Sequence, residues 1–555
     1  MSKKYTLGVD FGTLSGRAVI ADTSDGRELA SCTAEYAHAV IDEYLPSSGE
    51  KLPASWALED PRDFLDTLKT VIPGVIREAG IDPRDIIGVG MDFTCSTFLP
   101  IRKDGTPLCF EDRFAKEKHA YCKLWKHHGA QKYADKINEI YKKRGDTWMD
   151  GNFSGKMSGE FFLPKVWETV ECAPDVYRES DLFIEAADWV NFQLTGRLNR
   201  GYVISSIKEC YHKADGTYVP KDFLEALNPS LSDLFEKKFA GDIVMPGKAC
   251  GYVTKEASAI YGLPEGIPVA ASMPDAHVGG LAIGLKNAGD MFGIFGTSNC
   301  YFLMSREYVQ VPGIMGCVPD GIMPGYFSYE SGLSCFGDHF AWAAEKICPA
   351  DYAEEAKSLG ISNLQLLIKK AAALNPGESG LLALDWWNGN RNILVNSELT
   401  GMLIGMSLQT KPEHIMRALI EATAFGTRII LDNFREHGID INRFIAAGGV
   451  PRKDPFTMQL FSDVLGMPIE VSSTKQAGAL GDAIHAAAVA GKAAGGYDSI
   501  DEAVEAMKVP VCAEYRPCAE AHKVYSKLYD EYRRLHDYFG RGENDVMAKL
   551  RQIHG

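Results

Sequence analysis

The sequence has no pair of cysteines at CxxC spacing, no extended run of lysine or arginine, and no apolar stretch long enough to span a bilayer. Its thirteen cysteines are scattered; the closest late pair, Cys512 and Cys518, is not at metal-ribbon or redox spacing. An odd number of unframed thiols in a long chain implies reduced cysteines and a cytoplasmic setting, and it excludes a disulfide scaffold. Basic residues are the minority, 58 against 74 acidic ones, for a formal charge of −16. Such a surface repels a phosphate backbone and excludes nucleic acid as the expected partner, while a local loop remains able to bind a small phosphate group. The apolar run VGGLAIGL (278–285) is far too short for a membrane span. The start, MSKKYTLGVD, enters a strand with no signal-peptide core. A soluble protein with no membrane partner is expected.

The usual nucleotide and metal signatures are missing too. The nearest approach to GxxxxGK[ST], Gly151 to Lys156 in GNFSGKM, has the wrong spacing, and GVGMDF (88–93) carries Phe where a dinucleotide fingerprint needs its third glycine. No HExxH, EF-hand loop or zinc-spaced Cys/His cluster occurs. His127 and His128 are adjacent, so on a helix they diverge, and both are expected at the surface.

What is present begins with VDFGTLSGRAVI (9–20). An Asp between Val9 and Phe11 in a strand is costly unless a cation or donors meet it. The turn that follows offers backbone N–H groups and hydroxyls with little steric cover: Gly12, Thr13 and Ser15. A plain hairpin with an Asp at its strand end reads equally well from this stretch alone. Phe-Gly-Thr returns at 295–297 in FGIFGTSNCYFLM, again between two apolar strands, which suggests a duplicated lobe. Gly12, Thr13 and Ser15 in one lobe and Gly296, Thr297 and Ser298 in the other would hold one polyphosphate. Arg17 would add a planar cation, or be an ordinary strand Arg. Asp10 would then face Mg²⁺ through water, since that ion keeps several waters and needs only one or two carboxylates.

Alternating strands and helices predict an α/β core. Residues 115–245 read as a helix-rich insertion, in a first lobe spanning 1–285 and a second spanning 286–555. A long helix is expected over 411–436, with Thr410 and Glu413 as a capping box and Pro412 in the first turn. The chain beyond about 520 reads as helical and charged. Asp275 follows Pro274 at a strand-to-helix switch, where it serves either as an N-cap or as a base for a substrate hydroxyl. In AAGGVPRKDPF (446–456), Gly448 and Gly449 let backbone approach a flat ligand, with Arg452 or Lys453 alongside; a tight strand–helix turn is the simpler alternative.

Taken together, these residues resemble the FGGY family of carbohydrate kinases. The resemblance runs over about residues 5 to 500 and includes GVDFGTLSGRAV, GIFGTSN, ADWVNFQLTGRL (187–198), TGMLIGMSLQTKPEHIMRALIEA (400–422) and AAGGVPRKDPFTMQLFSDVLGMPI. It implies a two-lobed, actin/Hsp70-like (ribonuclease H-like) ATPase fold with a helical and β insertion in the first lobe. It also implies ATP and Mg²⁺, Asp275 as catalytic base, Asp10 near the metal, and Gly448, Gly449 and Lys453 along the adenosine. MDFTCSTFLP, HAYCKLWKHHGAQ, SIKEC, YESGLSCFGDHFAW and ALDWWNGNR resemble the branch acting on L-ribulose. That implies phosphorylation at the C5 hydroxyl of this ketopentose, as in L-arabinose catabolism, with Cys95, Ser96, Trp125, Lys208 and Glu330 around the sugar beside Asp275. A sister kinase for another ketose or polyol is the alternative, and a protein-binding actin/Hsp70-type ATPase or a non-catalytic sensor stands further off. The sequence leaves the oligomeric state open between monomer and homodimer.

Overall fold

Tyr5–Phe11 (β1) is buried along nearly its whole length, with Asp10 half-buried, the pattern of a strand covered on both faces. The structure, a computed structural model, describes residues 3–150 and 156–554; the Gly151–Lys156 near-motif therefore falls, but for Lys156, outside the described residues. Two compact units emerge. One comprises the chain up to Lys286 with Gly316–Ser328 and Gln476–Val509, and the other Asn287–Met315, Tyr329–Lys475 and the chain from Pro510.

In the first unit β1 pairs antiparallel with Ser15–Asp22 (β2), which pairs antiparallel with Glu28–Glu35 (β3). The chain then crosses through helix Pro61–Ala79 (α1) to Ile86–Phe93 (β4), parallel to β1. Asp60 caps α1 through the Arg62 N–H, Gly80 ends it in the left-handed region at φ 64°, and Phe64, Leu68, Val71 and Val75 form its buried face. The 115–245 segment holds several helices, among them Gln131–Arg144, Phe162–Cys172 (α2) and Tyr202–Lys208, with a core of its own around Tyr133, Phe162, Trp167 and Phe223. His127, expected at the surface, is fully buried, with its Nε2 3.0 Å from Glu168 Oε2, whereas His128 is exposed. Burial follows from packing against Trp56, 4.7 Å between ring centroids, which local spacing does not encode. Pro268–Ala270 (β5) joins β4 in parallel, giving the order β5–β4–β1–β2–β3. Helix Asp275–Ile283 (α3) follows.

The second unit repeats this plan. Asp290–Phe295 (β6) pairs antiparallel with Asn299–Ser305 (β7), beside which Phe327–Leu333 (β8) lies. The 25-residue helix Pro412–Glu436 (α4) leads to Arg443–Gly448 (β9), parallel to β6. Ile469–Ser472 (β10) and Val511–Tyr515 (β11) complete the order β8–β7–β6–β9–β10–β11. The Phe of each Phe-Gly-Thr ends the equivalent strand, Phe11 of β1 and Phe295 of β6. The expected capping box at α4 does not form. Pro412 takes the first helical position and Lys411 ahead of it is extended (φ −110°, ψ 162°); Thr410 Oγ1 accepts from the Ser407 N–H instead, and Glu413 accepts from the Tyr352 hydroxyl.

Helix Ala477–Ala490 (α5), in the span expected as second lobe, clusters with the first unit. It covers β1 and β4 closely enough that a Cβ on Gly8 would lie 1.7 Å from the Ala479 carbonyl oxygen, and one on Gly90 2.3 Å from that of Asp482. Helix Ala519–Gly540 (α6) closes the second unit with Tyr525, Tyr529, Tyr532 and His536 buried along one stripe. Among the described residues no helix is long and apolar enough to cross a membrane.

Candidate active site

The first Gly/Thr/Ser turn is closed by the Gly12 N–H donating to the Ser15 carbonyl at 3.0 Å, and the second by Gly296 N–H to Ser298 at 3.0 Å. The second turn is further tied down by Phe336 and Gly337, whose N–H groups donate to the carbonyls of Thr297 (2.9 Å) and Gly296 (3.1 Å). In β2, Arg17 stands opposite Asp10, with Nε 3.5 Å from Asp10 Oδ2 and Nη1 donating to Gln476 Oε1 at 3.3 Å. This is what meets the carboxylate in the strand.

Asp10 has company that the motif did not reveal. In the parallel β1–β4 pair it is in register with Asp92, and Asp482 of α5 comes against Asp92 from the helix side. A Cβ on Gly478 would lie 2.7 Å from Asp92 Oδ2 and 3.1 Å from Asp10 Oδ2, so the first turn of α5 lies directly on both carboxyls. Burial raises the Asp10 pKa, with Arg17 pulling the other way. Burial first, then the charges of Asp482, Asp10 and Asp275, push Asp92 well above the usual carboxylate range. Asp482 is pushed up in the same way, by burial and then by Asp10 and Asp275. Asp482 meets the Asp92 backbone and carboxyl through hydrogen bonds that pull the other way without offsetting burial. Two such carboxyls lower their mutual cost by retaining a proton. The signal for Asp92 was in the sequence: MDF (91–93) repeats VDF (9–11) at the end of a second apolar strand.

Asp275 arrives through the short strand Met273–Pro274, whose Met273 is in register with Asp92. Pro274 occupies the N-cap of α3 and Asp275 the first helical position, half-buried, with Oδ1 accepting from the Ala276 N–H at 2.7 Å. The N-cap alternative therefore does not describe it. It lies near the carboxyl ends of the parallel strands, where open α/β sheets bind ligands.

Cys95 and Ser96 follow β4. Cys95 is half-buried, while Ser96 is fully buried with its hydroxyl donating to the Glu160 carbonyl. Trp125 is half-buried, and its Nε1–H donates to Thr13 Oγ1 at 3.1 Å, joining this region to the first turn. Lys208 lies 3.7 Å from Glu160 Oε2 and 4.4 Å over the Phe161 ring. Glu330 is half-buried on β8 of the second unit. In that unit Gly448 pairs with Phe295 at the ends of β9 and β6, bringing the Gly448–Gly449 turn beside the Gly296 turn. Gly448 has φ 113°, and a Cβ there would lie 2.6 Å from the Phe295 carbonyl oxygen; only glycine fits. Arg452 Nε donates back to the Gly448 carbonyl at 3.3 Å, and Lys453 is exposed.

No group of three or more His, Cys, Asp or Glu among the described residues is placed to hold a metal. One accessible carboxylate, Asp10, beside a phosphate-type turn suits Mg²⁺ that keeps most of its waters.

Comparison with known proteins identifies the family and the fold. Residues 5–282 match the N-terminal domain model, and residues 291–490 the C-terminal domain model, of the FGGY family of carbohydrate kinases. The chain is 46% identical over 551 residues to a ribulokinase of Geobacillus thermodenitrificans, covering 99% of this chain and 97% of that one. A ribulokinase of Anoxybacillus flavithermus is 47% identical with the same coverage. The solved xylulose kinase of Rhodospirillum rubrum superposes with a TM-score of 0.77 at 21% identity, over 96% of this chain and 98% of that one, and so shares the two-domain fold. On these matches, spanning nearly all of its length, the chain belongs to the FGGY family of carbohydrate kinases.

Proposed function

We propose that the protein transfers the γ-phosphoryl group of ATP to the C5 hydroxyl of L-ribulose, giving L-ribulose 5-phosphate and ADP. The observation that carries the chemistry is Asp275 at the first turn of α3, half-buried and clear of the N-cap position, close to Asp92 and Asp482. The substrate comes from the relatives named ribulokinase.

Asp275 accepts the proton of the C5 hydroxyl as that oxygen bonds to the γ-phosphorus, and the bond from phosphorus to the β,γ-bridging oxygen breaks to release ADP. An ionised carboxylate at the first helical position is favoured by the N-terminal end of the helix dipole. Backbone N–H groups and hydroxyls of Gly12, Thr13, Ser15, Gly296, Thr297 and Ser298 bind phosphate oxygens, and Arg17 supplies a cation. Gly448, Gly449 and Lys453 take the adenosine. Mg²⁺, held through water by Asp10, would neutralise phosphate charge. Cys95, Ser96, Trp125, Lys208 and Glu330 hold the sugar, Trp125 as its apolar wall and the charged pair as hydroxyl partners. Thirteen cysteines outside any disulfide suit a reducing cytoplasm.

The test is ADP release across a panel of pentuloses and polyols. L-Ribulose is expected to give the highest kcat/KM; a preference for another ketose or polyol selects the sister-kinase reading, and sugar-independent ATP hydrolysis overturns both.

A further inference from the structure

Helix α2 lies behind two sugar-facing segments, 95–97 and 122–127, and one of its side chains touches both. Lys165 is fully buried, and its ammonium donates to the Ser96 carbonyl at 2.8 Å and to the Leu124 carbonyl at 2.9 Å. These carbonyls belong to the neighbours of Cys95 and Trp125. Ser96 holds φ +67°, a left-handed conformation that a side chain adopts only when its surroundings impose it. Trp125 is fixed in turn by its own N–H to Thr97 Oγ1 at 3.3 Å, and Thr97 N–H donates to Glu185 Oε2 at 3.0 Å.

A buried ammonium is expensive, and burial drops this one to about 7, against the favourable pull of Glu185 and Glu160. Structural lysines of this kind usually pair with a carboxylate, as the neighbouring Lys123 does with Glu168 at 2.7 Å. The hydrogen bonds of Lys165 instead bridge two loops. A bridge of this kind fixes the separation of the loops it joins.

We propose that Lys165 is a positioning residue of the ketopentose site: by clasping the Ser96 and Leu124 carbonyls it sets the spacing between Cys95 and Trp125 and thereby the affinity for sugar. The inference rests on the assignment of Cys95 and Trp125 to the sugar.

Steady-state kinetics of Lys165→Met and Glu168→Gln, each varied separately in L-ribulose and in ATP, test it. Glu168→Gln, on the same helix as Lys165, removes the negative charge that faces Lys123 and His127 but leaves the clasp. Lys165→Met is expected to raise the sugar KM at least tenfold with the ATP KM within twofold, and Glu168→Gln to leave the sugar KM within threefold. A sugar KM unchanged in folded Lys165→Met, or raised equally in both variants, overturns the proposal. If Lys165→Met does not melt cooperatively, Lys165→Arg decides: a sugar KM raised at least threefold with ATP unaffected supports the clasp, and an unchanged one overturns it. Should the wild-type panel select a different sugar, that sugar replaces L-ribulose here, so the substrate reading fails while the clasp is still judged.

Discussion

Asp10 and Asp92 are direct partners across the parallel β1–β4 pair, and the phenylalanines that follow them, Phe11 and Phe93, stack at 5.0 Å with an interplanar angle of 8°. The stack fixes the register, since a slip by one residue would put the two rings on opposite faces of the sheet. Two carboxyls are thereby held together at the rim of the sheet, and α5 adds Asp482. Of the neighbouring acids, Asp92 and Asp482 are fully buried, while Asp10 and Asp275 are half-buried and accessible. The substrate chemistry proposed above is assigned to the latter two.

Asp275→Asn removes the proposed proton acceptor and keeps the side-chain shape. Turnover should fall about 10²–10⁴-fold with ATP affinity preserved, read by coupled ADP release and by calorimetric titration of nucleotide. Turnover within a factor of a few of wild type would show that the hydroxyl loses its proton elsewhere.

Asp482→Asn should stabilise the protein at neutral and alkaline pH. The folded state raises the Asp482 pKa well above its ordinary value of 3.8. Above that ordinary value the folded protein therefore holds a proton that the unfolded chain has released, and stability declines as pH rises. Asparagine does not titrate, so the advantage of the variant should be about 3 °C in Tm at pH 8 and shrink towards pH 5. A lower Tm than wild type at pH 8 would mean that the carboxyl makes a favourable ionic contact.

Both Gly/Thr/Ser turns were legible because they are local: a strand pattern, a glycine and a hydroxyl within a few residues suffice. The Asp10–Asp92–Asp482 group was not, because parallel pairing and a returning helix assemble it from distant segments. Its traces were indirect, in the MDF repeat of VDF and in Gly8 and Gly90, whose missing side chains admit the α5 backbone. Lys165 was silent because lysine is ordinarily a surface residue, and no spacing rule identifies the rare buried one. The charge of α6 masked its tyrosine stripe, since polar residues outnumber the four buried positions that dock it.

Gly448→Ala places a Cβ where φ is 113° and the Phe295 carbonyl lies at 2.6 Å. The strain, about 1–3 kcal/mol, falls on the turn proposed for adenosine. The ATP KM should rise about tenfold, while sugar binding measured without nucleotide stays within twofold. An unchanged ATP KM in a well-folded variant would remove this turn from the nucleotide site.

Tyr532→Phe tests how α6 is held to the second unit. The Tyr532 hydroxyl donates to Asp385 Oδ1 at 2.6 Å inside the core, where burial pushes Asp385 up to about 6 against the pull of this hydrogen bond. Removing the donor leaves a buried carboxyl poorer by one partner, a cost of about 1–3 kcal/mol. The bond favours the ionised carboxylate, so its loss raises the Asp385 pKa further. The penalty is thus fullest at pH 8, where the wild-type group is ionised, and shrinks as pH falls through about 6 and the carboxyl takes up a proton. Thermal melts at pH 8 and pH 5 should show the larger Tm loss at pH 8, with both substrate KM values unchanged at pH 8. Equal losses at the two pH values would mean that the hydroxyl serves the neutral and the ionised Asp385 alike, and no loss at either that packing alone anchors the helix.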